Sequence, residues 1–377
     1  QGKSPASTDI DALKHATRFG REKENLVFPI ALANLVLHGI DQPNLWHGNT
    51  LTKRATYSAL FDKAPKFFDV ILTNPPFGGK EGKDAQNNYA YATSSTQVLF
   101  VQDILRELAP NGRCAIVLDD GFLFRKDEDA FVETKRKLVD ECNLWAIISL
   151  PSGCFSGAGA AVKTNLLFFT KGNKTTKIWY YDLTHVKVGK KSPMTLAHFG
   201  FGKNGKVLDD TDLPAVLTEA WAQDENSTGA FPSYARLFSA RGTAAAESRY
   251  SWTVDFAARR KRAREDMKPH LVDAEDAKTE VISLKEKLKA LKIAKPKDNK
   301  IEALETKIGE QEKAAREAQS KADAIDAAVF DLKAVNPNAI VKIDSRTPEE
   351  VIQNIFDQGE IVSTGLKALR ALLQARR

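Results

Sequence analysis

Over residues 1 to about 200 the apolar positions fall in short continuous runs rather than in strict alternation. The runs at 67–73, 114–118, 145–150, 162–170 and 177–182 are rich in β-branched and aromatic residues, which predicts strands covered on both faces. Between them, 26–39 and 95–109 carry apolar residues at helical spacing. Strands alternating with helices predict an α/β domain over 1–200. From about 185 to 250, Gly, Asp, Thr and Ser accumulate without a sustained period, so 201–250 reads as a weakly patterned connection and Phe199-Gly200-Phe201-Gly202 as a turn-rich strand edge.

The last third, 251–377, reads as a helical region. Val281, Leu284, Leu288 and Leu291 recur at helical spacing, Lys295-Pro296-Lys297-Asp298-Asn299-Lys300 interrupts, and Ile301, Leu304, Ile308, Ala315, Ala322, Ile325, Val329 and Leu332 resume. This predicts an antiparallel hairpin from about 274 to 334. Its apolar stripes are narrow and partly exposed, as on a projecting arm or a partner-binding element. A further helix pair is expected after Thr347-Pro348-Glu349-Glu350, with Thr347 as cap and Pro348 in the first turn.

Composition narrows the function classes. The chain has 377 residues, 42% of them hydrophobic, enough for a sizeable core. No apolar run approaches the length of a membrane span, and the start lacks a charged-then-apolar export signal. Cys114, Cys142 and Cys154 have no paired spacing and the six histidines form no HExxH motif, so no metal is expected and a cytoplasmic location is. The net charge of +6 is modest, so nucleic-acid affinity must come from local patches. Candidates are Arg259-Arg260-Lys261-Arg262-Ala263-Arg264, equally readable as a solvated helix face, and the loop residues Lys80, Lys83, Asn87, Asn88, Tyr89 and Tyr91, placed to overhang a bound base.

The residues that carry chemistry are Asn74-Pro75-Pro76-Phe77, at the end of the 67–73 run. An exocyclic amine on a heterocycle is a poor nucleophile, because its lone pair is delocalised into the ring. The Asn74 side-chain oxygen and the Pro75 carbonyl can each accept one amine hydrogen, drawing the nitrogen toward tetrahedral geometry and stabilising the charge that builds during transfer. Pro75 and Pro76 fix φ and bring no competing N–H. Phe77 offers a face on which a base extruded from a duplex can stack. The plainer reading is a strand-terminating turn.

Around this tetrapeptide stand Phe19-Gly20-Arg21-Glu22, Ala31-Leu32-Ala33-Asn34-Leu35-Val36-Leu37-His38-Gly39-Ile40 and Gly48-Asn49-Thr50-Leu51. After it come Leu108-Ala109-Pro110-Asn111-Gly112-Arg113-Cys114-Ala115-Ile116-Val117-Leu118, Leu150-Pro151-Ser152-Gly153-Cys154-Phe155 and Lys163-Thr164-Asn165-Leu166-Leu167-Phe168-Phe169. Over about residues 15 to 170 the set resembles the N6-adenine DNA methyltransferases, and among them the modification subunit of type I restriction-modification systems.

The resemblance implies a class I S-adenosylmethionine-dependent methyltransferase domain, Rossmann-like, followed by the helical region. It implies that Glu22 holds the cofactor ribose and that Asn49, where the family usually has Asp, contacts the cofactor adenine. It also implies DNA as substrate, with a specificity subunit and a restriction subunit as partners, the hairpin serving for docking. The family's glycine-rich cofactor loop is expected upstream of Glu22, and the sequence given starts without it, as a piece truncated there would. Phe155-Ser156-Gly157-Ala158-Gly159 offers a permuted substitute, but the strand-like run after it argues for a plain Gly/Ala loop. Two other readings stay open: a non-catalytic assembly subunit with an incomplete cofactor site, and an amino-methyltransferase acting on RNA or on a protein glutamine.

Overall fold

A mixed six-stranded sheet, in the order β4-β5-β7-β6-β8-β9, organises the larger part of the chain in the computed structural model. Its strands are β4 (Phe68–Thr73), β5 (Leu108–Asp119), β6 (Cys142–Ser149), β7 (Thr164–Lys171), β8 (Lys177–Asp182) and β9 (Ser251–Asp255). The structure describes residues 7–55, 64–158, 162–222, 227, 229–293, 298–338 and 347–374. The chain divides into two units, Gln1–Asn338 and Ala339–Arg377.

The strands from β5 to β8 are continuous apolar runs because both faces are covered; β4, expected to be covered in the same way, is instead an edge strand on which Val70 and Leu72 are exposed. On β8, Ile178 and Tyr180 join one core while Trp179 and Tyr181 join the other, the period of two that a pleated strand imposes. On β6 the parity slips: Leu144 and Ile147 face the first core, Ala146 and Ile148 the second. A register irregularity between Leu144 and Ala146 accounts for the slip. Strand β7 runs antiparallel to both β5 and β6. Its Leu167 and Phe169 are fully buried, as are Val98 and Leu105 of helix α4 (Thr96–Glu107) and Leu138 of helix α6 (Asp129–Glu141), the short helices α3 (Lys83–Gln86) and α5 (Asp120–Phe124) lying between.

The 201–250 stretch, expected to be a weakly patterned connection, contributes to the second core. Leu213 and Leu217, beside and on helix α7 (Ala215–Ala222), join Phe231, Tyr250 and Tyr234 of helix α8 (Tyr234–Leu237) around Trp179 and Tyr181. These residues come from brief turns, so they leave no period in the sequence.

Before the main sheet come helix α1 (Ser7–His15), strand β1 (Phe19–Glu22), helix α2 (Val27–Leu37), strand β2 (Asn44–Asn49) and the short β3 (Arg54–Ala55). β1 pairs parallel with β2, where Phe19 stacks on Trp46 at 5.9 Å. Charge ties this small sheet to α4. Arg21 reaches both oxygens of Glu107, at 3.1 and 3.2 Å, and Lys53 lies 2.8 Å from Asp103 and 2.6 Å from Glu107. Burial works to raise the Glu107 carboxyl, but Lys53 and Arg21 outweigh it and hold the group below the usual carboxylate range.

The hairpin is longer than its sequence period suggests. Helix α9 (Phe256–Ile293) starts directly after β9, and helix α10 (Asp298–Val329) returns beside it. Pro269 lies inside α9 and leaves the helix unbroken; it is exposed, so the carbonyl that loses its intrahelical partner stays in reach of water. Val281, Leu284 and Ile308 form a small core between the helices, with Leu288 and Leu304 packed on it, while Ile325, Val329 and Leu332 join the sheet's own core. The stripe expected to be partly exposed is thus largely closed by the hairpin itself. Of the break expected at 295–300, residues 295–297 lie outside the described residues, while 298–300 already form the first turn of α10.

In the second unit the described residues form one helix, α11 (Pro348–Gln374), rather than the expected pair. Gly359 and Gly365 weaken its pattern without ending it. Thr347 and Glu350 exchange backbone-to-side-chain hydrogen bonds of 2.8 and 3.2 Å, a reciprocal cap.

Candidate active site

Strand ends converge on one cavity. β1 and β4 both run into its wall, and a space of about 560 Å³ opens between them. Five of the sequence-predicted residues line it: Glu22 at the end of β1, Asn49 at the end of β2, and Asn74, Pro75 and Pro76 following β4. A crevice at the carboxyl ends of parallel strands is where α/β sheets bind ligands. Its walls also carry Phe19, Trp46, Phe68 and Phe100, enough aromatic surface for a flat heterocycle.

The polar groups divide by role. Glu22 accepts the Glu24 N–H at 2.7 Å through one carboxylate oxygen and is half-buried at the cavity edge. Asn49 is more fully engaged: its side-chain oxygen accepts from the N–H of Leu51 at 2.8 Å, shaping the turn, and its amide donates to Glu81 at 3.3 Å. An aspartate at this position could keep the turn but would face the Glu81 carboxylate without a hydrogen to offer. Glu81, also on the cavity wall, is therefore a site residue that the sequence pattern did not reveal. Its signal is indirect, the Asn standing at residue 49.

Pro75 is buried, Asn74 and Pro76 are exposed, and the loop after them is pinned. Gly79 accepts the Thr96 N–H at 3.0 Å, Glu81 N–H donates to Ser94 at 2.9 Å, and Lys80 bridges Ser95. A Cβ on Gly79 would meet the Thr96 hydroxyl at 2.7 Å, so this close approach requires glycine. Phe77 lies outside the lining of the large cavity. Its ring packs on Phe155 at 5.2 Å with the planes tilted by 59°. Phe155 is a second residue that sequence reasoning did not place here.

Other expectations are redistributed. Asn88 and Tyr89 do not overhang the tetrapeptide; both donate to the Leu51 carbonyl, at 3.1 and 3.3 Å, and so fasten the 49–52 turn. Tyr91 packs against the first core. In the basic run, Arg259 donates to the carbonyls of Asp331 and Ala328, tying α9 to the end of α10, and Arg260 pairs with Asp140 of α6; Lys261, Arg262 and Arg264 are exposed. Ser156–Ala158 is a single 3₁₀ turn before β7, and Gly159 lies outside the described residues. Cys114 and Cys142 are buried, where desolvation raises both thiols, and among the described residues no group of His, Cys, Asp and Glu is placed to hold a metal. No described helix is long and apolar enough to cross a membrane.

The arrangement has counterparts among known proteins. A family model described as N-6 DNA Methylase matches residues 6–206. The type I restriction enzyme EcoEI methylase subunit of Escherichia coli is 41% identical over 212 residues, 54% of this chain and 41% of its own length. The EcoKI methylase subunit of Escherichia coli K12 is 38% identical over 180 residues, 45% of this chain and 33% of its own length. The chain thus spans between one third and about two fifths of these relatives. A solved chain from work on complex assembly and conformational transition of the type I R-M system shares the fold, with TM-score 0.51 and 24% identity, covering 100% of this chain and 58% of that one.

Proposed function

Since the chain belongs to the N-6 DNA methylase family and has a class I methyltransferase fold, we propose that it is the modification subunit of a type I restriction-modification assembly, methylating the N6 amine of adenine in DNA. The observation that carries this reading is the single cavity shared by Glu22, Asn49, Asn74, Pro75 and Pro76.

S-adenosylmethionine, when bound, supplies an electrophilic methyl group. The residues present fit its nucleoside end: Glu22 has a carboxylate oxygen left over from its turn, suited to ribose hydroxyls, and the aromatic walls suit a purine. With Asn49 committed to the turn and to Glu81, the two act together on that wall. On the other side, Asn74 and the Pro75 carbonyl accept the amine hydrogens of the target adenine, and neither must ionise. Phe77 takes the face of the extruded base.

Asn74→Ala removes an acceptor that matters most as charge develops, so methyl transfer by the assembled enzyme should fall by about two to three orders of magnitude. Asn74 is exposed, so the fold should be untouched. Labelled-methyl incorporation into an adenine-containing duplex is the measurement, with circular dichroism alongside; near-normal incorporation would rule the assignment out.

The partners in this reading are DNA, a specificity subunit and a restriction subunit, the hairpin being the docking arm for the specificity subunit. With its own stripe closed, the large apolar side chains left exposed on α9 are Leu271, Val272, Ile282 and Ile293. Val272→Glu with Ile282→Glu should reduce co-purification of the specificity subunit without loss of helicity. Undiminished co-purification would exclude this face.

A further inference from the structure

The loop that follows the tetrapeptide is the wall of a second cavity, also of about 560 Å³, on which Gly78, Gly79 and Lys80 face Gln97, Arg125 and Lys163. The two cavities are back to back. Thr96 lines the first and Gln97, the next residue of α4, lines the second.

Three carboxylates also border this space, and each is occupied. Asp119 accepts the Phe122 N–H at 2.9 Å, Asp120 takes Asn165 at 3.3 Å and Lys333 at 2.5 Å, and Glu128 receives Arg125 at 3.4 Å. Arg125 is further held by Asp127 at 3.2 Å. Lys80 and Lys163 have no acceptor for their ammonium groups among the described residues, and both side chains are exposed at the rim. Gln97 is the second observation. It is only 3% exposed, its oxygen accepts the Asp119 N–H at 3.1 Å, and its amide nitrogen has no partner. The acceptor role fixes which end of the amide is which, so the orphan is a donor. Buried donors are almost always satisfied, and this unpartnered one belongs to a residue that lines the same cavity as Lys80 and Lys163.

We propose that this second cavity holds a backbone phosphate of the DNA strand that carries the target adenine, an assignment that rests on the function proposed above. The Gly78-Gly79 segment lets a strand pass close to the main chain, since a Cβ on Gly78 would meet nothing within 4 Å. Two ammonium groups and one amide donor match the oxygens of a phosphodiester. The pinning of Lys80 to Ser95 sets its distance from Asn74, so the phosphate contact fixes the register in which the adenine reaches the first cavity.

The test is fluorescence anisotropy of a labelled single-stranded oligonucleotide containing one adenine, bound to the 377-residue chain over a range of salt. Combining Lys80→Gln with Lys163→Gln should lower affinity about tenfold and flatten the log K against log salt slope by about 0.7, the value for one single-strand phosphate. Gln97→Glu keeps the acceptor for Asp119 but turns the donor into a repelling oxygen, and should weaken binding at least as much. A methylphosphonate walked along the oligonucleotide should cost the unaltered chain affinity at one position and cost the lysine variant nothing there. Lys190→Gln with Lys191→Gln, outside the cavity, should change nothing. Binding and slope unchanged in both cavity variants would overturn the phosphate site alone, the methyltransferase reading standing on Asn74. Failure of the unaltered chain to bind the oligonucleotide even at low salt would likewise overturn the phosphate site, whereas the methyltransferase reading falls only with the Asn74 result in the assembled enzyme.

Discussion

The two ends of the main sheet are built differently. From β5 to β9 the apolar residues are enclosed: Phe122, Leu167, Phe169, Ile178 and Tyr181 have no exposed surface. At β4 and on α2 before it, many apolar residues face outward, although Ile40, Trp46 and Leu51 between them are buried. Leu72 is 75% exposed, α2 has no buried residue, and Leu26 just before it and Leu37 at its end are 81% and 85% exposed. The candidate active site sits on that second, open side. Stability and chemistry are therefore carried largely by different parts of the molecule, joined by the charged clamp of Arg21, Lys53, Asp103 and Glu107 and by Leu51, which packs with Leu99 of α4.

The comparison breaks if the open side proves as costly to alter as the closed one. Phe122→Ala should destabilise the unit by about 3–5 kcal/mol, through lost burial and the cavity left behind. Leu37→Ala should stay within about 0.5 kcal/mol, as exposed substitutions do. Urea unfolding of the two variants decides; equal losses would mean that α2 is covered in solution.

A smaller effect separates geometry from mere apolarity at Phe77. Stacking of a base is worth about 1–3 kcal/mol and tolerates a change of ring, so Phe77→Trp should retain methyl transfer far better than Phe77→Ala. Equal rates in the two variants would remove the stacking role and leave Phe77 as a packing partner of Phe155.

The smallest expected effect concerns the clamp. Glu107 titrates below its ordinary value in the folded chain, so the stability it adds is present above the unfolded carboxyl's range and disappears as pH falls through the lowered one. Glu107→Gln should cost about 1 kcal/mol near neutrality, a modest figure because the pair is partly solvated, and the deficit should start to shrink near about pH 4 and vanish only once the pH lies below the lowered range. A deficit that persists in acid would mean that Glu107 acts by packing alone.

What could be read in the sequence follows the physics of each element. The buried strands announced themselves because two covered faces demand continuous apolar runs, and Asn74-Pro75-Pro76-Phe77 because its residue types have few other uses together. Neither β9 nor the aromatic filling by Phe231, Tyr234 and Tyr250 was legible, since a strand that pairs with Lys177–Asp182 across some seventy intervening residues leaves no local period. The start of α9 at Phe256 was hidden by a basic run in which Arg259 and Arg260 look solvated but hold the Asp331 carbonyl and the Asp140 side chain of α6. Asn49 and Glu81 are thirty-two positions apart, and only the fold makes them neighbours.

The joint between β9 and α9 has a mechanical consequence. Asp255 ends the strand and Phe256 begins the helix, with no residue between to act as a swivel. The helix that follows has 38 residues, a rod of about 57 Å at the usual rise. Phe256, fully buried, is its fulcrum, and the grip of Arg259 on Ala328 and Asp331 braces the second helix against the first. A load applied near the tip is delivered as torque to the last strand of the sheet rather than absorbed by a hinge, so whatever seizes the arm also has hold of the domain.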